Sequence, residues 1–403
     1  MTVLYIYQGD WPRNAIRVAK ATHSLALAGH RVCLLAGNPN RSARREHNDW
    51  MEIRRLPAPS SSLLRRLANF ALFVNPVWLW SAWRAARAVR ADCIVVQDLP
   101  LAPTAVLVGR WLRIPVHYDM ADVYPVWLRV SRAENPGAFN RMMRNPTMAA
   151  WVERQVVHRV ATVFVVAEES RARCLGLDVP SARVVLVGNT PANVEELAAE
   201  HPVPSDLAAL GPRPAVLFVG NLLADRGLDR AITAMQEVVR ELPEAALVVI
   251  GDGRERPRLL QLTRALGLQD HVYFLGWKPH SELAPYYRCA RVGILPFLAT
   301  EHICLTLANK LFDYMGAGLP VIASDVPPMQ RVLQDTGGGL LVPPGDSSAL
   351  AAAIVTLLRD ECLRCALGNS GRQAVATRYR WSVDAQRFIA AIEAARPPRS
   401  SAR

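Results

Sequence analysis

The densest polar cluster in the sequence runs from Glu301 and His302 through Leu307, Ala308, Asn309 and Lys310 to Asp313, and GAGLPVIASD follows it. Asn309 and Asp313 stand four apart and Lys310 and Asp313 three apart, so the three share one end face of a helix that starts near Ala308. A lysine and a carboxylate within one turn of a helix start suit a phosphate and a hydroxylated sugar together; a solvated salt bridge uses the same residues. A second candidate, Gly220-Asn221-Leu222-Leu223-Ala224-Asp225-Arg226-Gly227, joins a strand pattern to a helical one. Arginine there can hold a diphosphate bidentately while the helix amino end adds partial positive charge; the alternative is an arginine in solvent. Gly9-Asp10 follows the first apolar run and precedes a helix, where backbone N–H groups either approach a ligand closely or form a plain turn. Gly251-Asp252-Gly253 follows ALVVI, but Arg256 fills the third position of a dinucleotide fingerprint and no acidic residue follows at the right strand end. That argues against nicotinamide or flavin binding.

Such side chains need elements to hold them. Short apolar runs alternate with longer helical patterns: VLYIY, HRVCLLAG, CIVVQD, IPVHYDM, TVFVVA and RVVLVG, then AVLFVGN, ALVVIGDG, VYFLGW, VGILPF, PVIASD and GGLLVPP. This alternation predicts parallel strands with crossover helices. Between the two sets, NVEELAAEHPVPSDLAALGPRP carries four prolines and no long apolar run. The expected organisation is a first α/β domain over 1–200, a linker at 201–214, a second α/β domain over 215–380, a helix over 381–395 and a disordered tail at 396–403. A chain of 403 residues suits two or three domains. Open parallel sheets bind ligands outside the carboxyl ends of their strands, so function belongs in loops just after strands, in a cleft between the halves.

Composition narrows the partners. Lys plus Arg less Asp plus Glu is 47 − 35 = +12, which favours nucleic acid, anionic lipid or phosphorylated small molecules without choosing among them. Seven cysteines form no disulfide or zinc pattern, and the amino terminus begins on a strand pattern rather than a basic, apolar leader, which suits a reducing cytosol. Cys362 and Cys365 read as buried cysteines of an amphipathic helix. The stretch Leu67 to Trp83 is the most apolar of the amino half, flanked by Arg65, Arg66, Arg84, Arg87 and Arg90, and is interrupted by Asn75-Pro76. It is too short and broken to span a bilayer; it suits either a membrane interface or a core helix pair, and the net charge favours contact with anionic lipid.

GNLLADRG, GDGRERPRL, VYFLGWKPHSELAPYYRCARVGILPF, NKLFDYMGAGLPVIASD and GGLLVPPGDSSALAAAI, in that order, resemble the nucleotide-sugar half of the family 4 glycosyltransferases over nearly all of 215–360. HSLALAGHRVCLLAG, VHYDMADVYP and VVHRVATVFVVAEES are similar to the first half, and VLVGNTP to the segment leading into the interdomain crossover. The resemblance implies an α/β architecture of the GT-B type, two Rossmann-like domains facing each other across a cleft. It also implies retaining transfer of a sugar from a UDP- or GDP-sugar, without a metal or another cofactor. The second half holds no DxD pair, and Arg, Lys and helix dipoles can neutralise a diphosphate alone.

Carried over by position, Arg226 matches the family lysine on the donor diphosphate, and Asp313 the second glutamate of a Glu-x7-Glu motif that holds the ribose. Gly220, Asn221, Gly251, Gly253, Gly276 and Trp277, with Glu301, His302, Leu307, Ala308, Asn309 and Lys310, complete the donor side that the resemblance implies; Gly9 and Asp10 lie on the acceptor side. Arg226 and Lys310 form the expected electrostatic clamp, while Asp119 and Asp122 orient the acceptor hydroxyl or face the sugar from the opposite wall, or else serve as caps and turns. Three positions depart from the family pattern. Asn221 stands at a second diphosphate arginine, Leu305 at the first glutamate of the motif, and Ala121 at a histidine. Glu301, His302 and the backbone N–H groups of Leu307 to Asn309 are the candidates to offset the missing glutamate.

Two other function classes fit the same pattern. A nucleotide-sugar 2-epimerase needs acid and base groups around C2, which Ala121 supplies poorly; a non-catalytic interaction protein of this fold is motivated by the three departures. Nucleic-acid binding rests on charge alone and no recognition motif supports it. The expected partners are a nucleotide-sugar and a saccharide or lipid-linked acceptor in polysaccharide or glycoconjugate synthesis, in the cytoplasm or at the inner face of the cell membrane.

Overall fold

The computed structural model describes residues 1–12, 15–62, 73–134, 145–207, 211 and 213–395, with 131–134 as backbone only. The chain divides into two compact units, Met1–Gly188 with Ser382–Arg403, and Asn189–Trp381.

In the first unit the apolar runs become β1 (Thr2–Tyr7), β2 (Arg31–Ala36), β3 (Arg45–His47), β4 (Met51–Arg55), β5 (Cys93–Gln97), β6 (Val116–Met120), β7 (Thr162–Val165) and β8 (Val184–Leu186). They form one sheet in the order β3-β4-β2-β1-β5-β6-β7-β8, parallel throughout except between β3 and β4. Consecutive residues of β1 and β5 are buried, because helices cover both faces of a parallel sheet and leave no polar side. The chain leaves β1 toward β2 on one side, and β5 pairs with β1 on the other, so the loops after β1 and β5 diverge at a switch point.

Helix Pro76–Val89 starts where Asn75 accepts a hydrogen bond from the Val77 N–H, and Pro76 supplies a first-turn residue that needs no donor. Trp78, Ala82, Ala85 and Val89 make its buried stripe. The expected apolar stretch Leu67 to Trp83 therefore divides: Trp78 is core, Trp80 is exposed, and 67–72 lie outside the described residues. Helix Trp381–Ala394 belongs from Ser382 onward to the first unit, where Phe388 sets its ring 4.6 Å from that of Phe164 and Glu393 lies 3.1 Å from His30.

The second unit has β9 (Ala215–Val219), β10 (Ala246–Ile250), β11 (Val272–Gly276), β12 (Val292–Leu295), β13 (Val321–Ser324) and β14 (Gly339–Val342), all parallel, in the order β11-β10-β9-β12-β13-β14. Its switch point lies between β9 and β12. Helix Leu228–Glu241 shows why the crossovers fold: Leu228, Ala231, Ile232, Met235 and Val238 recur at helical spacing and are buried.

Two expectations are corrected here. The boundary between the units falls in the chain between Gly188 and Asn189 and not at the expected linker 201–214, and Asp206 of the second unit accepts a 2.8 Å hydrogen bond from Tyr286 and pairs with Lys278 at 2.7 Å. Pro202 and Pro204 exclude regular structure without excluding packing. Cys362 and Cys365 lie on helix Glu361–Thr377 but are exposed, because that helix buries Gly368, Gly371, Ala374 and Val375 instead. The tail at 396–403 lies outside the described residues. Among the described residues no helix is long and apolar enough to cross a membrane.

Candidate functional site

The loops after β9, β10 and β11 are tied together by their backbones. Gly220 donates to the Ile250 carbonyl at 3.0 Å, Leu222 to that of Asp252 at 3.0 Å, and Gly251 to that of Gly276 at 2.8 Å. Gly251 has φ +139°, and a Cβ there would collide with the Gly220 carbonyl oxygen; one at Gly253 would collide with that of Leu222. The glycines let three strand ends close up into one backbone row.

Arg226 ends the short turn Ala224–Arg226, after which Gly227, in the left-handed region at φ +64°, opens helix Leu228–Glu241. A Cβ at Gly227 would strike the Pro296 carbonyl, so the loop after β9 lies directly against the chain leaving β12. The same two segments meet where Leu298 donates to the Asp225 carbonyl at 2.9 Å and where the Arg226 guanidinium lies 4.7 Å from the Phe297 ring centroid. Asp225 is buried, 3.7 Å from Arg226 Nε and 3.5 Å from His302 Nδ1. Burial pushes its carboxyl up, but the His302 ring and the Arg226 charge outweigh this and hold it below the usual range. His302, expected on the donor side, is buried with its Nδ1 3.5 Å from Asp225 Oδ2, beside the turn that carries Arg226.

Ala308 precedes helix Asn309–Gly316, and no side chain caps the helix start. Lys310 Nζ lies 2.7 Å from Asp313 Oδ2 and 3.1 Å from the Tyr287 hydroxyl, while Tyr287 and His280 each approach Asp313 Oδ2 at 3.4 Å. Asp313 is 2% exposed. Burial alone would raise its carboxyl pKa, yet Lys310 first and His280 next hold it well below the usual range. Lys310 and Asp313, expected to hold the diphosphate and the ribose or else to pair with each other, form an ion pair between a part-buried ammonium and a buried carboxylate, because three residues on one helical turn bring the two together. Asn221 and Glu301 are exposed, Trp277 is 54% exposed after Gly276, Leu307 is buried, and Leu305, Ala308 and Asn309 are half-buried.

The remaining candidates belong to the first unit. Asp119 lies within β6, 1% exposed, paired with Arg17 at 2.6 Å and accepting from the Tyr5 hydroxyl at 2.9 Å. Asp119, expected to orient the acceptor hydroxyl or to cap a turn, is the internal counter-ion of Arg17, whose guanidinium also donates to the Val187 and Gly188 carbonyls. Asp122 is exposed just after β6. Gly9 accepts at its carbonyl from the Gly37 N–H at 3.1 Å, and Asp10 accepts from Asn40 at 2.5 Å.

Sequence reasoning missed Asp98. It follows β5 at the switch point with φ 63° and ψ 156°, a conformation that costs a non-glycine residue free energy, and its Oδ1 is buried without a partner. Burial, then the charges of Asp122 and Asp119, push its carboxyl up to about 8. The available signal was an acid directly after CIVVQ, at a strand end where ligands bind, which the pattern absorbed into the strand.

Among the described residues no three His, Cys, Asp or Glu side chains are grouped to hold a metal. Two families match the chain in tandem: the "Glycosyl transferase 4-like domain" over 15–190 and "Glycosyl transferases group 1" over 213–360. The chain belongs to the group 1 glycosyltransferases. A phosphatidyl-myo-inositol mannosyltransferase of Mycobacterium leprae is 37% identical over 44% of this chain and 46% of that protein. A 2-deoxystreptamine glucosyltransferase of Streptomyces kanamyceticus is 24% identical over 90% of this chain and 94% of its own length. The chain thus spans about half the length of the mannosyltransferase it matches. Among solved structures, sucrose-phosphate synthase from Thermosynechococcus elongatus has a TM-score of 0.77 at 23% identity, covering 98% of both chains. Anabaena HepE in complex with UDP-glucose has a TM-score of 0.73 at 15% identity, covering 98% of this chain and all of its own. These group 1 glycosyltransferase units therefore share a GT-B fold with solved enzymes of low sequence identity.

Proposed function

We propose that this group 1 glycosyltransferase moves a sugar from a nucleotide-sugar, a UDP- or GDP-sugar, to a saccharide or lipid-linked acceptor with retention at the anomeric carbon. The observation that carries the reading is the cation site at the β9/β12 switch point, where Arg226 stands at a helix start over the Phe297 ring. When the glycosidic C–O bond breaks, its electron pair stays on the departing diphosphate and charge grows there. A fixed guanidinium stabilises that charge more than it stabilises the intact donor, which lowers the barrier. Asp225 and His302 hold the turn, so Arg226 pays little reorganisation cost as the bond breaks. The glycine row after β9, β10 and β11 gives the donor a backbone surface that no Cβ obstructs. No metal is required in this scheme, because the charge is met by the protein. Asp122, exposed just after β6, is the carboxylate proposed to address the acceptor.

The named activities of the two relatives differ in acceptor class, a lipid in one and an aminocyclitol in the other, so both classes enter the test. The location that follows is the cytoplasm, at the inner face of the membrane when the acceptor is lipid-linked. Thermal shift with UDP, GDP and dTDP and their sugars identifies the donor, since a ligand of the native state raises the midpoint. Nucleoside diphosphate release is then followed with and without acceptors, and the product anomer is read by NMR. Release that needs no acceptor, or a product epimerised at C2, overturns the transfer reading.

A further inference from the structure

The surroundings of the seven cysteines sort them into two kinds. Cys33, Cys93 and Cys174 are buried, and burial pushes each thiol up to about 12. Cys289 and Cys304 are half-buried, and burial raises their thiols as well. Such groups carry little thiolate, the form that reacts. Cys362 and Cys365 alone are exposed. They stand three apart on helix Glu361–Thr377, where that spacing puts two side chains on one face, a turn apart. Ala366 and Asn369 continue the stripe and are exposed too, so neither bulk nor charge along it shields the two sulfurs.

The turn that carries the pair is held in place. The Asp360 side chain accepts a 2.8 Å hydrogen bond from the Leu363 N–H, and the Asp360 carbonyl accepts one of 3.0 Å from the Arg364 N–H. The Arg364 guanidinium reaches back to the Leu357 and Leu358 carbonyls at 3.0 and 3.4 Å, at the end of helix Ser347–Arg359. Helical rise and pitch separate Cα atoms three residues apart by about 5 Å, inside the span of roughly 4.4 to 6.8 Å that a disulfide bridges. The Cβ atoms start about 5 to 6 Å apart and must close to about 4 Å. A first helical turn supplies that closure, because it tightens readily toward 3₁₀ geometry, in which residues three apart eclipse.

We infer that Cys362 and Cys365 form a reversible disulfide across this turn by exchange with a small disulfide of the glutathione class. The thiolate of one cysteine attacks a sulfur of oxidised glutathione, and one glutathione leaves as its thiolate. The thiolate of the second cysteine then attacks the protein sulfur of that mixed disulfide, and the second glutathione leaves. Two protein thiols are oxidised to one disulfide, one oxidised glutathione is reduced to two glutathiones, and the two protons end on these. Exposure makes the bond reversible, since reduced glutathione reaches either sulfur. A metal ion held by thiolates wants more ligands, and among the described residues no third His, Cys, Asp or Glu joins the pair. The inference does not rest on the sugar-transfer reading.

The test is intact-mass spectrometry of the full chain after incubation with oxidised glutathione, with a thiol count on the native protein by Ellman's reagent. The wild type should lose two hydrogens and gain no glutathione, and its fast-reacting thiols should disappear together and return with dithiothreitol. Over a series of glutathione mixtures the oxidised fraction should follow the square of the reduced form over the oxidised form, the dependence of a disulfide closed within one chain. Cys362→Ser and Cys365→Ser, both at exposed positions, should keep the wild-type thermal midpoint and stop at a stable glutathione adduct. A glutathione adduct that accumulates on the wild type, an unchanged mass, or a disulfide-linked dimer on a non-reducing gel overturns the inference. So does closure that persists in either serine variant, which would place the bond on another pair.

Discussion

Arg226 and Asp98 carry opposite electrostatic problems, and each has a measurable consequence. Arg226 has its charge in a half-buried position with its neighbouring acid, Asp225, held ionised below it. Arg226→Ala should lower kcat by about 10²-fold, the usual cost of losing one preorganised donor to a developing anion. Steady-state kinetics of nucleoside diphosphate release checks it, and a change in KM alone would assign Arg226 to ground-state binding. Asp98 is the reverse case, an acid whose folded-state pKa is pushed up to about 8. The folded protein then binds a proton that the unfolded chain releases above pH ~4, so stability falls as pH rises from ~4 to ~8. Asp98→Asn should flatten that decline, raising the thermal midpoint at pH 8 more than at pH 5. Asp313 has the opposite sign, because its folded value is depressed. Its contribution is present above the unfolded carboxylate value and is lost as pH falls below ~4. Lys310→Met, which strands that buried carboxylate, should destabilise the second unit by about 3 kcal/mol, read by urea denaturation near neutral pH.

At the scale of elements, the glycine row ties three strand ends by hydrogen bonds between backbones. Gly251→Ala places a Cβ on the Gly220 carbonyl at a φ that alanine rarely adopts, so the loops after β9 and β10 must part. A cost of about 1 to 3 kcal/mol and a weaker nucleotide-induced thermal shift are expected, with both read in one melting experiment. The strands themselves were legible because runs such as AVLFV and ALVVI are short, branched and buried on both faces, a pattern that few other elements share. The switch points were less so, since strand order depends on which neighbours pair and not on any one run. Asp119 shows the limit at a site: an acid after an apolar run reads as a loop residue, and its partner Arg17 lies about a hundred residues earlier in the chain. Lys310 and Asp313 were recognisable as a pair, but spacing could not tell whether they bind a ligand or each other. Pro202 and Pro204 mark irregular backbone, and irregular backbone can still pack, as Asp206 and Tyr286 do.

For the whole molecule, the decisive feature is that the first unit is discontinuous: helix Trp381–Ala394 completes a core whose other parts precede Gly188. Phe388, 1% exposed, fills the space beside Phe164. Phe388→Ala should cost about 3 to 5 kcal/mol in the first unit and leave the second untouched. Two separate melting transitions, of which only one moves, would show it. The interleaving also bears on how the protein is made. The second unit is one unbroken segment and can fold as it emerges from the ribosome, whereas the first, though synthesised earlier, lacks its final helix until the whole of the second has been translated. The amino-terminal half must wait with the Phe164 side of its core uncovered. A ribosome stalled before Trp381 would therefore hold a finished second unit beside an unfinished first one, which makes this half the natural client of a chaperone during synthesis.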